Sequence, residues 1–208
     1  MMISIFFMFS LILSSSYAAV QDFCVADYKA PTSPAGYACK NPSDVKVDDF
    51  VYSGLGVPGN ISNLSKVGIS AALVAQVPGL NGLGLSMVRA DLEVGGVVPL
   101  HTHRASEAIF VAEGKVIAGF IASDNKAYVK NLKKGDFMVL PRSLLHFQVN
   151  AGSTPALVYA LFSSDDPGVQ ILQNALFQND FQTELIAKTT LLDTAEIKKL
   201  KALLGGTN

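Results

Sequence analysis

The sequence has little charge, and that charge is thinly spread. Charged residues make up 16% of the 208, the formal net charge is −1, and no basic stretch is longer than a pair. Nucleic acids and anionic membrane surfaces attract proteins through concentrated positive charge. Beyond the N-terminal region, no uninterrupted apolar segment approaches the length of a membrane span. The composition therefore predicts neither a nucleic-acid partner nor a membrane span.

The first nineteen residues lack charged side chains altogether. Their apolar run, residues 3–13, is shorter than a membrane span and leads into small residues, with Ser16 and Ala18 at the spacing of a small-x-small cleavage site. This arrangement predicts a secretory signal peptide over residues 1–19, although the usual N-terminal Lys or Arg is missing. An uncleaved anchor is the alternative. The remainder, residues 20–208, has the length of a single domain with a sizeable core.

Cysteine is nearly absent, and its two copies, Cys24 and Cys39, lie close together near the predicted mature N-terminus. In a secreted chain such a pair predicts a disulfide, with two free buried thiols as the alternative. The stretch "NISNLS" contains two overlapping sequons, at Asn60 and Asn63. Behind a signal peptide, one of these asparagines is expected to be glycosylated and exposed. All of these features indicate export.

From Leu83 onward the chain consists of short apolar runs separated by turn residues. Val, Ile, Phe and Tyr are frequent in the runs, and Gly, Pro, Asn or Asp mark the joins. Strands of this length and spacing predict an antiparallel sandwich or barrel. The runs are "LGLSMVRADL", "AIFVAEG", "KVIAGFIA", "KAYVKNL", "DFMVLP", "LLHFQVN" and "ALVYALFSS".

The C-terminal stretch "LDTAEIKKLKALLGG" has a different period. Asp193 can cap a helix there, with Glu196 three residues later, and Gly205 can end it. One face of this helix is an apolar stripe and the other carries lysines. The stripe is formed by Ile197, Leu200 and Leu204, and the lysines are Lys198, Lys199 and Lys201. The stripe needs a covering surface, either the chain's own barrel or a neighbouring subunit.

Histidine is also scarce, with three copies in the chain. His101 and His103 share one face of a strand because side chains alternate with period 2, and Glu107 can return to that face at the start of the next strand. His146, about forty residues later, joins them if the sheet closes into a barrel. A lone HxH is more often a packed or solvated pair, but here every histidine falls into the set. Three imidazoles and a carboxylate predict a metal site with two positions open on six-coordinate Mn²⁺ or Fe²⁺, and tetrahedral Zn²⁺ is the competing arrangement.

At these residues the sequence resembles the cupin family. "GGVVPLHTHRASEAIFVAEG" resembles the first cupin motif, and "GDFMVLPRSLLHFQVN" resembles the second, with Gly135, Pro141, His146 and Asn150 in the family's places. The N-terminal "QDFCVADYKAPTSPAGYACK" is similar to the disulfide-bearing start of plant germin-like proteins, and the C-terminal tail to the subgroup that includes auxin-binding members. The resemblance implies an all-β, cupin-type β jelly-roll barrel with a C-terminal helical segment over residues 20–208. It also implies homohexamers in the extracellular matrix (the apoplast) and a manganese ion held by His101, His103, Glu107 and His146.

The sequence departs from the family pattern in three places. The spacer "RAS" between His103 and Glu107 has three residues where four are usual, and Ser143 stands where a glycine is usual. Germins that oxidise oxalate hold it with asparagines near the metal, and the matching pocket positions here are Val88 and Val98. An apolar wall cannot hydrogen-bond a dicarboxylate, so these two residues argue against oxalate oxidation.

Three functions compete for this site. The first is superoxide dismutation by a redox ion with an open position, in a protein with a role in defence or wall processes. The second is a non-enzymatic, receptor-like wall protein whose apolar pocket holds a small aromatic acid of the auxin type. The third is a structural cupin without chemistry. Val88 and Val98 fit the first two equally.

Overall fold

Seven of the ten strands coincide with the apolar runs predicted from the sequence. The computed structural model describes residues 21–61 and 64–208 of the chain. Along the strands burial alternates, as in Ala156–Phe162, because successive side chains point to opposite faces. The strands are β1 (Val67–Ala72), β2 (Ser86–Leu92), β3 (Val97–Thr102), β4 (Glu107–Glu113), β5 (Lys115–Ile121), β6 (Ala127–Lys133), β7 (Phe137–Leu140), β8 (Leu145–Val149), β9 (Ala156–Phe162) and β10 (Gln170–Ile171). The runs do not include β1, β3 or β10.

The strands form two antiparallel sheets of five, in the orders β1-β2-β9-β4-β7 and β10-β3-β8-β5-β6. Most neighbours in these sheets are distant in sequence, as with β2 and β9, which pair from Ser86↔Phe162 to Leu92↔Ala156. Apolar side chains from both sheets meet in one core. Its most buried members include Leu92, Ile109, Val111, Val116, Leu140 and Val158. The predicted all-β architecture is confirmed.

The Cys24–Cys39 disulfide closes a loop within the N-terminal segment, and hydrogen bonds fasten this segment to the connection between β1 and β2. Tyr28 donates its hydroxyl proton to the carbonyl of Val74 (2.5 Å), and the buried Asn81 exchanges hydrogen bonds with the backbone of Tyr37. Short 3₁₀ turns lie at Pro42–Asp44, Val47–Phe50, Gly54–Gly56 and Pro78–Leu80.

Three α-helices follow the barrel: α1 (Leu172–Phe177), α2 (Thr183–Thr190) and α3 (Thr194–Leu204). Asp193 caps α3 by accepting from the backbone N–H of Ala195 (2.7 Å), and Gly205 ends it in the left-handed region, as predicted. None of the described helices is long and apolar enough to cross a membrane.

Two expectations for α3 need correction. The stripe of Ile197, Leu200 and Leu204 packs against α1 and α2 of the same chain and not against the barrel, with Ile197 buried and the two leucines partly buried. Lys201 does not lie on an exposed face: it is 3% exposed, and its ammonium donates to the carbonyls of Asn179 (3.0 Å) and Thr207 (2.7 Å). The C-terminal chain folds back over the end of α3 and covers the lysine side chain, while the two carbonyls accept hydrogen bonds from its ammonium.

Candidate metal centre

The two sheets bring the three histidines and Glu107 together. His101 lies near the end of β3, directly opposite His146 on β8, and His103 follows β3 by one residue. Glu107 is the first residue of β4, in the facing sheet. All four are at least 91% buried, and one ligand atom from each lies within 4.8 Å of the others. Residues 101 and 146 therefore meet through the pairing of β3 with β8 within one sheet, and the facing sheet adds Glu107.

The short spacer between His103 and Glu107 still allows this meeting. The backbone N–H of Arg104 donates to the carbonyl of Pro167 (2.9 Å), and Ser106 exchanges two hydrogen bonds of 3.0 Å with Ser163. Ala105 is buried in the core. These bonds tie the turn between His103 and Glu107 to the segment that follows β9. Glu107 therefore reaches the histidines although only three residues separate it from His103.

Backbone carbonyls set the tautomer of each histidine. The Nδ1 atoms of His101 and His146 are bonded to the carbonyls of Pro99 (2.7 Å) and Leu144 (2.8 Å), and Nδ1 of His103 to that of Gly168. A carbonyl only accepts, so each Nδ1 carries the proton and each neutral ring presents the lone pair of its Nε2.

These Nε2 lone pairs face a carboxylate. Oε2 of Glu107 lies 2.9 Å from Nε2 of His146 and 3.3 Å from Nε2 of His103. Four electron-pair donors thus converge in a buried space, an arrangement that a cation between them would satisfy. The donor set, three imidazoles and one carboxylate, fits a divalent transition metal.

The protonation of the site also suits a cation. Burial, together with the nearby His146, lowers the pKa of His101 to about 4, so this ring is neutral at neutral pH. Burial opposes ionisation of Glu107, but His103 and His146 outweigh that effect and lower the pKa of Glu107 to about 2, because an Nε2 that carries a proton donates to the carboxylate. A cation among the Nε2 lone pairs would favour the carboxylate in the same way. The glutamate therefore supplies a negative charge.

The centre opens into a cavity of about 320 Å³, the metal cavity, which lies between the sheets. Val98 is part of its wall, whereas Val88 is not: Val88 packs against the core two residues from Ala90, which does line the cavity. The wall is otherwise mainly aliphatic, and Phe162 places its ring edge-on to His103 (centroids 4.8 Å apart). Gln148 and Ser65 are the polar lining residues other than the three ligands His101, His103 and Glu107.

Gln148 and Gly168 are site residues that sequence reasoning missed. The amide of Gln148, 4% exposed, donates to Oε1 of Glu107 (3.5 Å), the oxygen that does not face the histidines. The sequence could have indicated Gln148, because the polar residues His146, Gln148 and Asn150 alternate along the chain and so share one face of a strand. Gly168 has φ +58, and a Cβ there would lie 2.5 Å from the guanidinium of Arg104. Gly168 contributes only its backbone carbonyl, from 65 residues further along the chain, so the sequence around His103 gives no indication of it.

The other predicted residues lie outside the metal cavity. Cys24 and Cys39 form a disulfide in the N-terminal segment, and Asn60 is exposed in the loop before β1. The predicted signal peptide, residues 1–19, and the second sequon asparagine, Asn63, lie outside the described residues.

Comparisons with known proteins agree with the fold and the site. The cupin family model matches residues 53–198. The chain is 63% identical to auxin-binding protein ABP19a of Prunus persica over the full length of both, and 55% identical to germin-like protein subfamily 3 member 3 of Arabidopsis thaliana, covering 100% of this chain and 99% of that one. The structure of a recombinant oxalate oxidase in complex with glycolate superposes with a TM-score of 0.86 at 34% identity, over 91% of this chain and 98% of that one. The chain therefore belongs to the cupin family and, within it, to the germin-like proteins.

Proposed function

We propose that this chain is a secreted, manganese-binding protein of the plant extracellular matrix that dismutates superoxide. The observation that carries the proposal is the convergence of three Nε2 lone pairs and an ionised carboxylate in a buried space beside an apolar cavity. Iron and zinc are the alternative ions. His101, His103, Glu107 and His146 would hold the metal.

The metal would supply one-electron chemistry, provided that it has two accessible oxidation states. The chain's own residues supply the setting. The carbonyls at Pro99, Leu144 and Gly168 hold the rings with Nε2 inward, and the charge of Glu107 favours the higher oxidation state. If the ion is six-coordinate, these four protein ligands would leave two positions for water and a small anion.

The same cavity is a poor site for oxalate. Val98 presents a hydrocarbon wall, and Val88 packs into the core without a polar group to offer. Desolvating a dianion against such a wall is unfavourable unless hydrogen bonds compensate. We expect no hydrogen peroxide from oxalate with metal-loaded protein, and its release would contradict this reading of the two valines.

Metal analysis and a superoxide assay on the same sample test the proposal. Wild-type protein should contain close to one manganese per chain and be active. His101→Ala and His146→Ala should each lose both metal and activity, because each removes one of four ligands. Ser65→Ala alters the same cavity without removing a ligand and serves as the control. Circular dichroism establishes that the variants fold.

Two results would contradict the proposal. Zinc in the purified protein together with no superoxide activity would refute dismutation and favour a binding or structural role. Full metal content in His146→Ala beside its loss in His101→Ala would show that the site is local to "HTHRASE" and lacks the fourth ligand.

A second candidate function is the binding of an auxin-type aromatic acid. It is favoured by the mainly aliphatic wall of the metal cavity and by the relative named an auxin-binding protein. The metal would bind the carboxylate of the ligand, and the aliphatic wall of the cavity would pack against its aromatic ring. Calorimetry with indole-3-acetic acid should then show binding by the metal-loaded protein, weakened by Val98→Asn. Absence of binding with metal present rules this candidate out.

The same proposal includes how the protein is processed, where it acts and how it assembles. We propose that residues 1–19 are removed on secretion, that residues 20–208 form the mature single domain, and that a sugar is attached at Asn60 or Asn63. The mature protein would act in the apoplast, in wall processes or defence, as a homohexamer. The exposure of Asn60 and the Cys24–Cys39 bond support export.

A further inference from the structure

A second cavity, of about 550 Å³, lies against β5 and β6 and shares no lining residue with the metal cavity. We call it the lysine cavity, because Lys115, Lys130 and Lys133 line it. Its other lining residues are mainly apolar or uncharged: Val116, Ile117, Asn131, Leu132, Ala151 and Gly152, with Asp136 as the one acid. This cavity takes no part in the function proposed above.

The strand register places two of these lysines against each other. Lys115 on β5 is the direct antiparallel partner of Lys133 on β6. Val116 and Leu132, the next pair, point into the core, so by alternation both lysines extend from the opposite, outer face. Side chains in such a pair begin about 5 Å apart, and like charges directly opposite destabilise the pairing.

The described residues offset only part of this charge. The ion pairs found over residues 21–61 and 64–208 include none of the three lysines. Asp136 accepts a hydrogen bond from the backbone N–H of Lys133 (2.9 Å), which commits one oxygen to the turn before β7. Lys130 is the partner of the core residue Ala118, so by the same alternation it leaves β6 on the other side. On the outer face, Lys115 and Lys133 with Asp136 leave a local excess of one positive charge in a chain whose net charge is −1.

We propose that the lysine cavity binds a small organic or inorganic oxyanion with two or more negative charges. A lysine ammonium acts as a mobile point charge that suits carboxylate, phosphate or sulfate oxygens. A ligand between Lys115 and Lys133 converts their repulsion into two attractive contacts. Ile117 and Ala151 beside them leave room for the carbon skeleton of an organic acid, and the volume exceeds what inorganic phosphate fills.

Calorimetric titration of the purified full-length protein with malonate and with inorganic phosphate tests this proposal at low ionic strength. Wild-type protein should bind at least one of them, and the stronger of the two identifies the oxyanion. The Lys115→Gln, Lys133→Gln variant should bind roughly tenfold more weakly, because it loses two charge contacts. Without ligand, this variant should melt at the same temperature as wild type or higher, because its cross-strand repulsion is gone.

The matched control is Lys188→Gln, Lys198→Gln, which removes the same charge from exposed positions on α2 and α3. It should bind like wild type. Equal weakening in both double variants would show a net-charge effect, and equal binding by wild type and Lys115→Gln, Lys133→Gln would place the anion elsewhere, for instance at the metal. Either result, or no binding of either anion, overturns the proposal. All of them are independent of superoxide activity.

Discussion

Glu107 is the ligand whose charge and shape can be separated by one substitution. It is the single acidic member of the set, and its Oε2 faces two histidines while its Oε1 accepts from Gln148. Glutamine keeps an oxygen of similar reach but removes the negative charge. The charge favours a more oxidised ion, so it affects both metal binding and the ease of cycling.

We therefore expect Glu107→Gln to lower activity further than metal content. The ratio of superoxide activity to bound manganese should fall by about tenfold or more, which corresponds to about 1.4 kcal/mol in the barrier. Metal analysis and activity on one preparation give the ratio, and Ser65→Ala is the control. A variant that loses metal and activity in equal proportion would show that Glu107 acts as a ligand alone.

Residues with their own chemical signature could be predicted, whereas backbone groups could not. The four ligand positions follow from strand alternation and the motif spacing. Gln148 was within reach of the same alternation argument, because it lies midway between two buried polar residues, His146 on β8 and Asn150 directly after it. The Gly168 carbonyl that orients His103 comes from a distant loop, and any residue has such a carbonyl. Only the fold reveals it.

At the scale of elements, strands were easier to predict than packing partners. The period-2 runs located seven strands, but the β2–β9 and β3–β8 pairings join segments far apart in sequence, which local patterns do not encode. The C-terminal helix α3 shows the same limit. Its bounds followed from Asp193 and Gly205, but what covers its apolar stripe depended on α1 and α2.

The buried Lys201 links α3 to the C-terminal chain through hydrogen bonds. Lys201→Met keeps the length of the side chain but removes the donor, which leaves the carbonyls of Asn179 and Thr207 with one partner fewer. We expect a loss of about 1–3 kcal/mol of stability. At about 2–4 °C per kcal/mol for a domain of this size, thermal melting should detect it.

Lys198→Met on the exposed side of the same helix is the control. It should change stability by no more than about 0.5 kcal/mol. If the two variants melt together, the hydrogen bonds of Lys201 contribute nothing, and the ammonium is held in place by packing alone.

At the scale of the whole molecule, the proposed assembly needs an exposed apolar surface. The outer face of the β1-β2-β9-β4-β7 sheet offers one. Phe110, Phe137 and Leu161 are 40%, 60% and 39% exposed around a groove of about 630 Å³, and Val139 nearby is 55% exposed. Exposed apolar patches of this kind are typical of interfaces between chains. A second copy of the chain is the occupant that the proposed hexamer requires.

Replacing Phe110 and Phe137 together with Gln should therefore shift the assembly to smaller species in light scattering, because their rings would no longer leave water on association. Both side chains point away from the core, so the monomer fold and its metal content should persist, which metal analysis checks on the same fractions. Val47→Gln is the control, since Val47 is 75% exposed but lies in the N-terminal segment. An unchanged particle size in the double variant would place the contact on another surface, and a wild-type protein that is monomeric at all concentrations would end the proposal of a hexamer.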